Sequence, residues 1–379
     1  MEIGSIIGGL WSHGLIYIVP FLFVLTIIVF FHELGHFLIG RLCGINTLAF
    51  SVGFGPELIG FTDRSGTRWK LSAIPLGGYV KFLGDENGAS IPDRDAVAGM
   101  SEEERRHAFP SASVGRRAAT VAAGPIANFV LAVVIFSAVV FVNGRVVGDP
   151  VVASVEPNSP AAAAGFEPGD TVISAGGETI EYFSDLQRYV ASVGANPIKF
   201  VVRREGKLVD LTVTPRLETR TDEFGNTITM PLVGLRADNA RGGFRVEQPS
   251  VIEAVQFGMA QTWFITHQTV GFIGQVLTGR QNADQIGGPI RIAKVSSEVS
   301  TIGIGALLNL AALLSISIGI LNLLPIPMLD GGHLLFYAFE AVRGRPLSER
   351  VQEVGFRIGL ALVVLLMIFA FWNDISGQV

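Results

Sequence analysis

Four long stretches that are nearly free of charged residues constrain this chain more than any other feature. A helix needs about 20 apolar residues to cross the hydrocarbon core of a bilayer, and each stretch is close to that length or beyond it. Hydrophobic residues make up 49% of the chain and charged residues 16%, a balance that favours a membrane protein. We therefore predict a polytopic α-helical membrane protein with four transmembrane helices, at residues 15–39, 118–142, 302–324 and 354–372.

The first stretch contains the pentapeptide His32-Glu33-Leu34-Gly35-His36. Residues four apart lie on one face of a helix, so the two imidazoles can bind one metal ion, and neutral imidazole is a good zinc ligand. The glutamate between them can act as the general base and acid of a hydrolysis. Ionisable residues inside a membrane span are costly and usually functional. The pattern predicts a zinc site with His32 and His36 as ligands and Glu33 as the catalytic residue.

Two histidines leave zinc without the third protein ligand of a catalytic site. The third stretch runs into Asn-Leu-Leu-Pro-Ile-Pro-Met-Leu-Asp-Gly-Gly at 322–332, where Asp330 is the first acidic residue. The two prolines interrupt the helix, and the two glycines allow the backbone to turn sharply. Unwound backbone at membrane depth is tolerated where it is buried or lines a polar cavity. A loop-capping aspartate fits this segment taken alone, but beside the histidine pair Asp330 is the predicted third ligand.

Two polar residues near Asp330 leave alternatives open. Asn322 lies about two helical turns before it, and it either donates a hydrogen bond to a substrate carbonyl or bonds between helices of the bundle. His333 follows Asp330 by three residues and is a rival metal ligand. The spacing alone does not separate the two roles of Asn322.

Basic residues predict the orientation of the spans. The loops after the first span and before the fourth carry Lys and Arg, while the amino-terminal tail carries neither, and such basic loops stay in the cytoplasm. Both termini and residues 143–300 then face the opposite side. Residues 254–279 lack charge but contain several glutamines, so an amphipathic helix at the membrane is predicted there and not a fifth span. The histidine pair and Asp330 share a membrane depth only if an even number of spans separates residues 143 and 302.

The outward segment begins with a compact domain. Short strands alternate with turn residues, a capped helix at 159–164 is stopped by Gly165, and a second helix covers 184–193. A hairpin joins the last two strands, at 198–203 and 207–214. This pattern predicts a small, partly open β-barrel with short helices near residues 146–217.

The composition argues against several other classes. A net charge of -5 without a basic stripe argues against nucleic acid as a partner. A single cysteine, Cys43, is incompatible with an intramolecular disulfide framework or a cysteine-only metal site. A membrane scaffold that binds protein tails without catalysis is an alternative, which an absence of bound zinc would favour. A transporter is disfavoured because the four spans show no internal repeat.

Taken together, the motifs resemble the site-2 protease family of intramembrane zinc metalloproteases. The resemblance covers nearly the whole chain and includes the segments 32–36, 53–56, 75–81, 123–129, 322–332 and 348–350. It implies four transmembrane helices and Zn²⁺ bound by residues matching His32, His36 and Asp330. It also implies a membrane-reentrant β-hairpin region, here 48–83, whose strand edge binds an unwound substrate by β-augmentation.

The same resemblance implies substrate contacts for Asn322, Gly53, Phe54 and Gly55. It implies that the outward domain is a PDZ-like α+β domain, single where the best-known relatives carry two in tandem. The helix near 251–279 and residues 287–292 resemble a stretch that gates access to the active site.

The partners implied by the resemblance are membrane lipid and single-span membrane proteins. Their transmembrane segments, such as those of anti-sigma factors or remnant signal peptides, would be cut in regulated intramembrane proteolysis. The expected location is the bacterial inner membrane, with the PDZ-like domain in the periplasm and the active site towards the cytoplasmic side.

The chain is predicted to consist of eight segments. They are transmembrane helix 1 (1–47), a cytoplasmic-side β region and loop (48–117), transmembrane helix 2 (118–143), the PDZ-like domain (144–217), a strand tail with amphipathic gating helices (218–301), transmembrane helix 3 (302–332), a cytoplasmic loop (333–353), and transmembrane helix 4 with its tail (354–379).

Overall fold

The computed structural model of the chain describes residues 3–85, 94–221, 227–237, 244–279 and 287–376. The chain forms two compact units. The first, here called the helical unit, comprises Met1–Val139 and Val251–Val379, and the second, the inserted unit, comprises Val140–Ser250.

The helices and strands of the described residues have the following bounds. The helices are α1 Ile3–Leu42, α2 Arg94–Gly99, α3 Glu102–Arg106, α4 Val114–Asn143, α5 Pro160–Ala164, α6 Phe183–Val193, α7 Val251–Leu277, α8 Pro289–Ile302, α9 Ile304–Leu323, α10 Asp330–Arg343 and α11 Glu349–Ser376. The strands are β1 Thr47–Thr62, β2 Arg68–Phe82, β3 Arg145–Gly148, β4 Val152–Val155, β5 Thr171–Ala175, β6 Glu178–Thr179, β7 Ile198–Arg204, β8 Lys207–Val213, β9 Arg216–Thr221, β10 Thr227–Leu232, β11 Leu235–Ala237 and β12 Phe244–Glu247.

Within the described part of the chain, four helices are long and apolar enough to cross a membrane, judged by length and composition. They are Ile16–Leu42 in α1, Val114–Asn143, Ile304–Leu323 and Arg350–Ser376 in α11. These correspond to the four stretches predicted from the sequence. Helix α7, predicted as an amphipathic helix, is not among them.

The core of the helical unit lies between α1, α4 and α9. Val24 and Ile28 of α1 pack against Leu131 and Phe136 of α4 and against Ile316 of α9. Helix α11, in contrast, leaves most of its apolar side chains exposed. An exposed apolar surface of this extent is typical of contact with a membrane or a protein partner.

Strands β1 and β2 form an antiparallel two-stranded sheet with several register shifts. Phe50 of β1 and Val80 and Phe82 of β2 are buried against Phe37 of α1 and Phe109. The sheet occupies the segment in which a β-hairpin region was predicted, and its location in the membrane stays a prediction.

The inserted unit contains a four-stranded sheet with the order β6-β5-β7-β8. Helix α5 begins after Ser159, whose side chain caps it, and ends at Gly165 in the left-handed conformation, as the sequence predicted. The unit runs to Ser250, whereas the predicted domain ended at residue 217. It extends further because β11 and β12 return to pair with β4 and β3.

Candidate metal centre

The structure brings three potential metal ligands together from two distant parts of the sequence. His32 and His36 lie one turn apart on α1, and Asp330 is the first residue of α10. One ligand atom from each lies within 4.8 Å of the other two. Among the described residues, this is the group of histidine, cysteine and acidic side chains that could bind a metal ion.

The spacing of the ligand atoms fits a tetrahedral zinc ion. The two histidine Nε2 atoms are 3.1 Å apart. Asp330 Oδ2 lies 3.2 Å from His32 Nε2, and Asp330 Oδ1 lies 3.6 Å from His36 Nε2. Tetrahedral zinc with bonds of about 2.0–2.1 Å requires ligand atoms about 3.3 Å apart. Two imidazole nitrogens and one carboxylate are also a donor set that zinc favours, and they leave a fourth position open.

Two glycines allow α4 to pass directly beside the ligands. A Cβ on Gly35 would overlap the carbonyl oxygen of Ala123, so the backbones of α1 and α4 meet at this point. A Cβ on Gly124 would overlap Nε2 of His36 and lie 2.9 Å from Cε1 of His32. The absence of a side chain at Gly124 therefore provides the space that the two imidazole rings occupy.

Helix α4 also contacts the outer nitrogen of each histidine. Nδ1 of His36 lies 2.9 Å from the carbonyl oxygen of Thr120. Because a carbonyl can only accept, His36 donates its Nδ1–H, and in the neutral ring Nε2 is then the unprotonated nitrogen that a metal ligand requires. Nδ1 of His32 lies 3.3 Å from Nδ2 of Asn128.

Glu33 lies between α1 and the β-sheet. Its carboxylate accepts a hydrogen bond from the backbone of Val80 in β2 and interacts electrostatically with His36 and Asp330. A Cβ on Gly78 would lie 3.0 Å from Cγ of Glu33, so β2 runs directly over this side chain. The half-buried carboxylate is thus oriented beside the candidate ligands.

Asp330 is positioned by an interruption between two helices. Helix α9 ends at Leu323, and α10 begins at Asp330. Met328 between them has a φ of 84°, a strained conformation for a residue with a side chain. The sequence suggested that Gly331 and Gly332 turn the backbone sharply, but both lie in α10. Their role is close approach, because Cβ atoms there would overlap carbonyl oxygens of Leu323, Leu324 and Ile326.

The remaining predicted site residues lie outside the ligand group. Asn322 is half-buried in the last turn of α9. His333 packs its ring near those of Tyr337 and Phe356, at centroid distances of 6.5 and 5.5 Å. Burial lowers the pKa of His333, which favours its neutral form.

Gly53, Phe54 and Gly55 lie in β1. A Cβ on Gly53 would come within 2.8 Å of the carbonyl oxygen of Ile74, and Phe54 stacks on Tyr79 with ring centroids 6.1 Å apart. These contacts are with β2, so the substrate-binding role predicted for this segment stays a prediction.

Four residues around the ligands were not predicted to serve the site. They are Gly78, Thr120, Gly124 and Asn128. Two of them belong to the segment 123–129 and one to the segment 75–81, both of which carry the family resemblance. Thr120 acts through its backbone carbonyl, so its side chain gives no sequence signal.

Comparison with known proteins identifies relatives along nearly the whole chain. Residues 20–366 match the model of peptidase family M50. A protein of Agrobacterium fabrum named "putative zinc metalloprotease" is 53% identical over 96% of both chains. Metalloprotease MmpA of Caulobacter vibrioides is 42% identical over 96% of both chains. Zinc metalloprotease RasP of Geobacillus kaustophilus is 31% identical over 95% of this chain and 97% of its own.

Solved structures match a smaller part of the chain. The PDZ domain of an SdrC-like protein from Listeria monocytogenes is 19% identical, with a TM-score of 0.20, and the match covers 26% of this chain and 90% of that one. A TM-score of 0.20 is too low to establish a shared fold, so the PDZ-like assignment stays a prediction.

Proposed function

Because the chain belongs to peptidase family M50, we propose that it is an intramembrane zinc endopeptidase. Its substrates would be transmembrane segments of single-span membrane proteins. The observation that supports this function best is the convergence of His32, His36 and Asp330 beside Glu33, with two of the ligands and the glutamate on a helix apolar enough to span a membrane.

Zinc is the metal that we assign to this group, with His32, His36 and Asp330 as its ligands. The fit of the three ligand distances to a tetrahedral ion supports the assignment. When bound, zinc would polarise the substrate carbonyl and lower the pKa of water.

Glu33 is the residue that we assign to proton transfer. As a general base it would take a proton from the attacking water while the bond from the water oxygen to the substrate carbonyl carbon forms. It would then give this proton to the amide nitrogen as the carbon–nitrogen bond breaks. The hydrogen bond from the backbone of Val80 orients the carboxylate for both steps.

The β1–β2 sheet is the proposed binding surface for the substrate backbone. The sheet has two strands, and β2 passes over Glu33. An extended peptide that adds a strand to it would come close to the catalytic glutamate. Gly53, Phe54, Gly55 and Asn322 are the proposed substrate contacts. Phe54 is 44% exposed and available for such a contact.

The proposed location is a bacterial inner membrane, with the active site towards the cytoplasmic side. The distribution of Lys and Arg in the loops supports this orientation. The inserted unit would then lie in the periplasm as a PDZ-like domain. Anti-sigma factors and remnant signal peptides are the proposed substrates, cut in regulated intramembrane proteolysis after a first cleavage removes an outer domain.

Co-expression with a tagged single-span substrate that lacks its outer domain tests the proposal. Wild type should cleave the substrate and purify with zinc. Glu33→Gln should retain zinc without cleaving, and Asp330→Ala should lose both zinc and cleavage. Glu103→Gln, at an exposed glutamate in α3, is the matched control and should behave as wild type. Undiminished cleavage by Glu33→Gln would refute the proposed chemistry.

A further inference from the structure

Asn128 is a fully buried polar residue in α4 with 0% exposure. In the described part of the chain, its side-chain amide has one hydrogen-bond partner, His32, and its Oδ1 has none. A buried amide group that lacks hydrogen-bond partners destabilises the folded state. The contact with His32 is therefore the interaction that can account for a buried asparagine at this position.

The direction of that hydrogen bond decides whether His32 can bind a metal. The two ends of an asparagine amide are related by a half-turn of the terminal torsion. If Nδ2 faces His32, the amide donates to an unprotonated Nδ1, and the proton of the neutral ring lies on Nε2. Nε2 is the atom that faces His36 and Asp330. A proton there is incompatible with a metal ligand, so metal binding requires Oδ1 to face His32.

The second histidine ligand also bonds to α4 through its Nδ1, and the direction of that hydrogen bond is fixed by its acceptor. His36 directs its Nδ1 at the carbonyl oxygen of Thr120, which can only accept. In a helix, carbonyl groups point towards the carboxyl end and side chains lean towards the amino end. The carbonyl of Thr120 and the side chain of Asn128 are therefore directed towards each other along α4. Gly124, midway between them, leaves room for the rings.

A second contact fixes the same turn of α4. Ser315 of α9 is fully buried, and its hydroxyl donates to the backbone carbonyl of Asn128 over 2.9 Å. Helix α9 leads directly to the segment that carries Asp330. The turn of α4 around Asn128 is thus hydrogen-bonded to the candidate ligand His32 and to α9, the helix that precedes Asp330.

We propose that Asn128 is a positioning residue of the metal centre, whose Oδ1 accepts the Nδ1–H of His32 and so keeps Nε2 of His32 free for the metal. This inference rests on the proposed function, because it assumes that His32 binds zinc. Groups that orient a metal-bound histidine in this way typically change metal affinity by about 10–100-fold when they are removed.

Two substitutions separate the directions of the bond. Asn128→Leu removes both hydrogen-bonding ends at similar size, whereas Asn128→Asp keeps an acceptor and removes the donor. We expect zinc affinity, measured by competition with a chelator on the purified full chain, to fall about 10–100-fold in Asn128→Leu. Asn128→Asp should bind zinc at least as tightly as wild type. Ser137→Ala is the control, since Ser137 lies on the same helix and bonds to its own helix through Val133.

Each outcome of this experiment decides the inference. Wild-type affinity in a folded Asn128→Leu protein, or affinity in Asn128→Asp as low as in Asn128→Leu, would overturn it. If Asn128→Leu does not fold, Asn128→Asp decides alone, because a donating amide at this position predicts a loss of zinc there. A wild-type protein without zinc would refute the proposed function itself, which distinguishes that failure from a failure of the inference.

Discussion

Substitution of Gly124 by alanine should remove the metal while leaving the fold in place. The added Cβ would overlap Nε2 of His36 and lie 2.9 Å from Cε1 of His32. Carbon atoms in contact prefer separations of about 3.5–4.0 Å. His32 would therefore have to move by at least about 0.6 Å to relieve the overlap, and His36 would have to move further. Metal ligands tolerate displacements of only about 0.2 Å.

Gly124→Ala should change the stability of the fold less than it changes the affinity for zinc. Overpacking one methyl group typically costs about 1–3 kcal/mol of stability. Because the overlap involves two of the three ligands, we expect zinc affinity to fall by at least about 100-fold, the upper end of the range for indirect changes at a metal site. Cleavage should be lost together with the metal.

Zinc content and affinity of the purified protein measure this effect, with thermal unfolding of the metal-free protein as the measure of folding. Gly115→Ala is the matched control. Gly115 lies near the start of the same helix, and a Cβ there would meet nothing within 4 Å. Alanine is also the better helix former, so this control should bind zinc as wild type does. If Gly124→Ala also bound zinc as tightly as wild type, the ligand group would not be the metal site.

Three further substitutions test other parts of the structure. Asp85 is 4% exposed, and burial raises its pKa to about 8. The free energy of unfolding is therefore highest at low pH, where this carboxyl is protonated in the folded and unfolded states, and it falls as the pH rises towards 8. Asp85→Asn should flatten this pH dependence, measured by thermal unfolding. Arg204→Ala removes the two hydrogen bonds of 2.7 Å that the buried Asp170 accepts from Arg204, which should destabilise the inserted unit by about 3–5 kcal/mol, measured by hydrogen exchange of β7. Asp374 accepts hydrogen bonds from Gly288 and the first turn of α8, so Asp374→Ala should cost about 1–2 kcal/mol and increase hydrogen exchange at the start of α8.

The sequence predicts those parts of the site that depend on local spacing. His32 and His36 are one turn apart on any helix, and Asp330 is the first acid in an otherwise apolar segment. Both signals can be read without knowing how the helices pack. Asn128 gives no such signal, because its contact with His32 joins residues 96 positions apart.

The difference between local patterns and contacts of distant residues also explains where the predicted fold departs from the observed one. The helices and turns of the inserted unit were predicted because capping residues and alternating strands are local patterns, as at Ser159 and Gly165. Its extension to Ser250 was not, because β11 and β12 become part of the unit only by pairing with strands far earlier in the chain. The glycines after Asp330 were recognised, but their purpose depends on carbonyl groups of the preceding helix and could not be read from their positions.

The pairing of β3 with β12 has a consequence for how the chain can change in length. Arg145 at the start of β3 is the partner of Glu247 at the end of β12, so the entry and exit of the inserted unit are one strand spacing apart, about 5 Å. A short turn could join the same two points. The end of α4 and the start of α7 therefore need not move when the insertion is shortened, exchanged or lengthened. The inserted unit can therefore differ in length or sequence while the connection that it makes between α4 and α7 stays equally short.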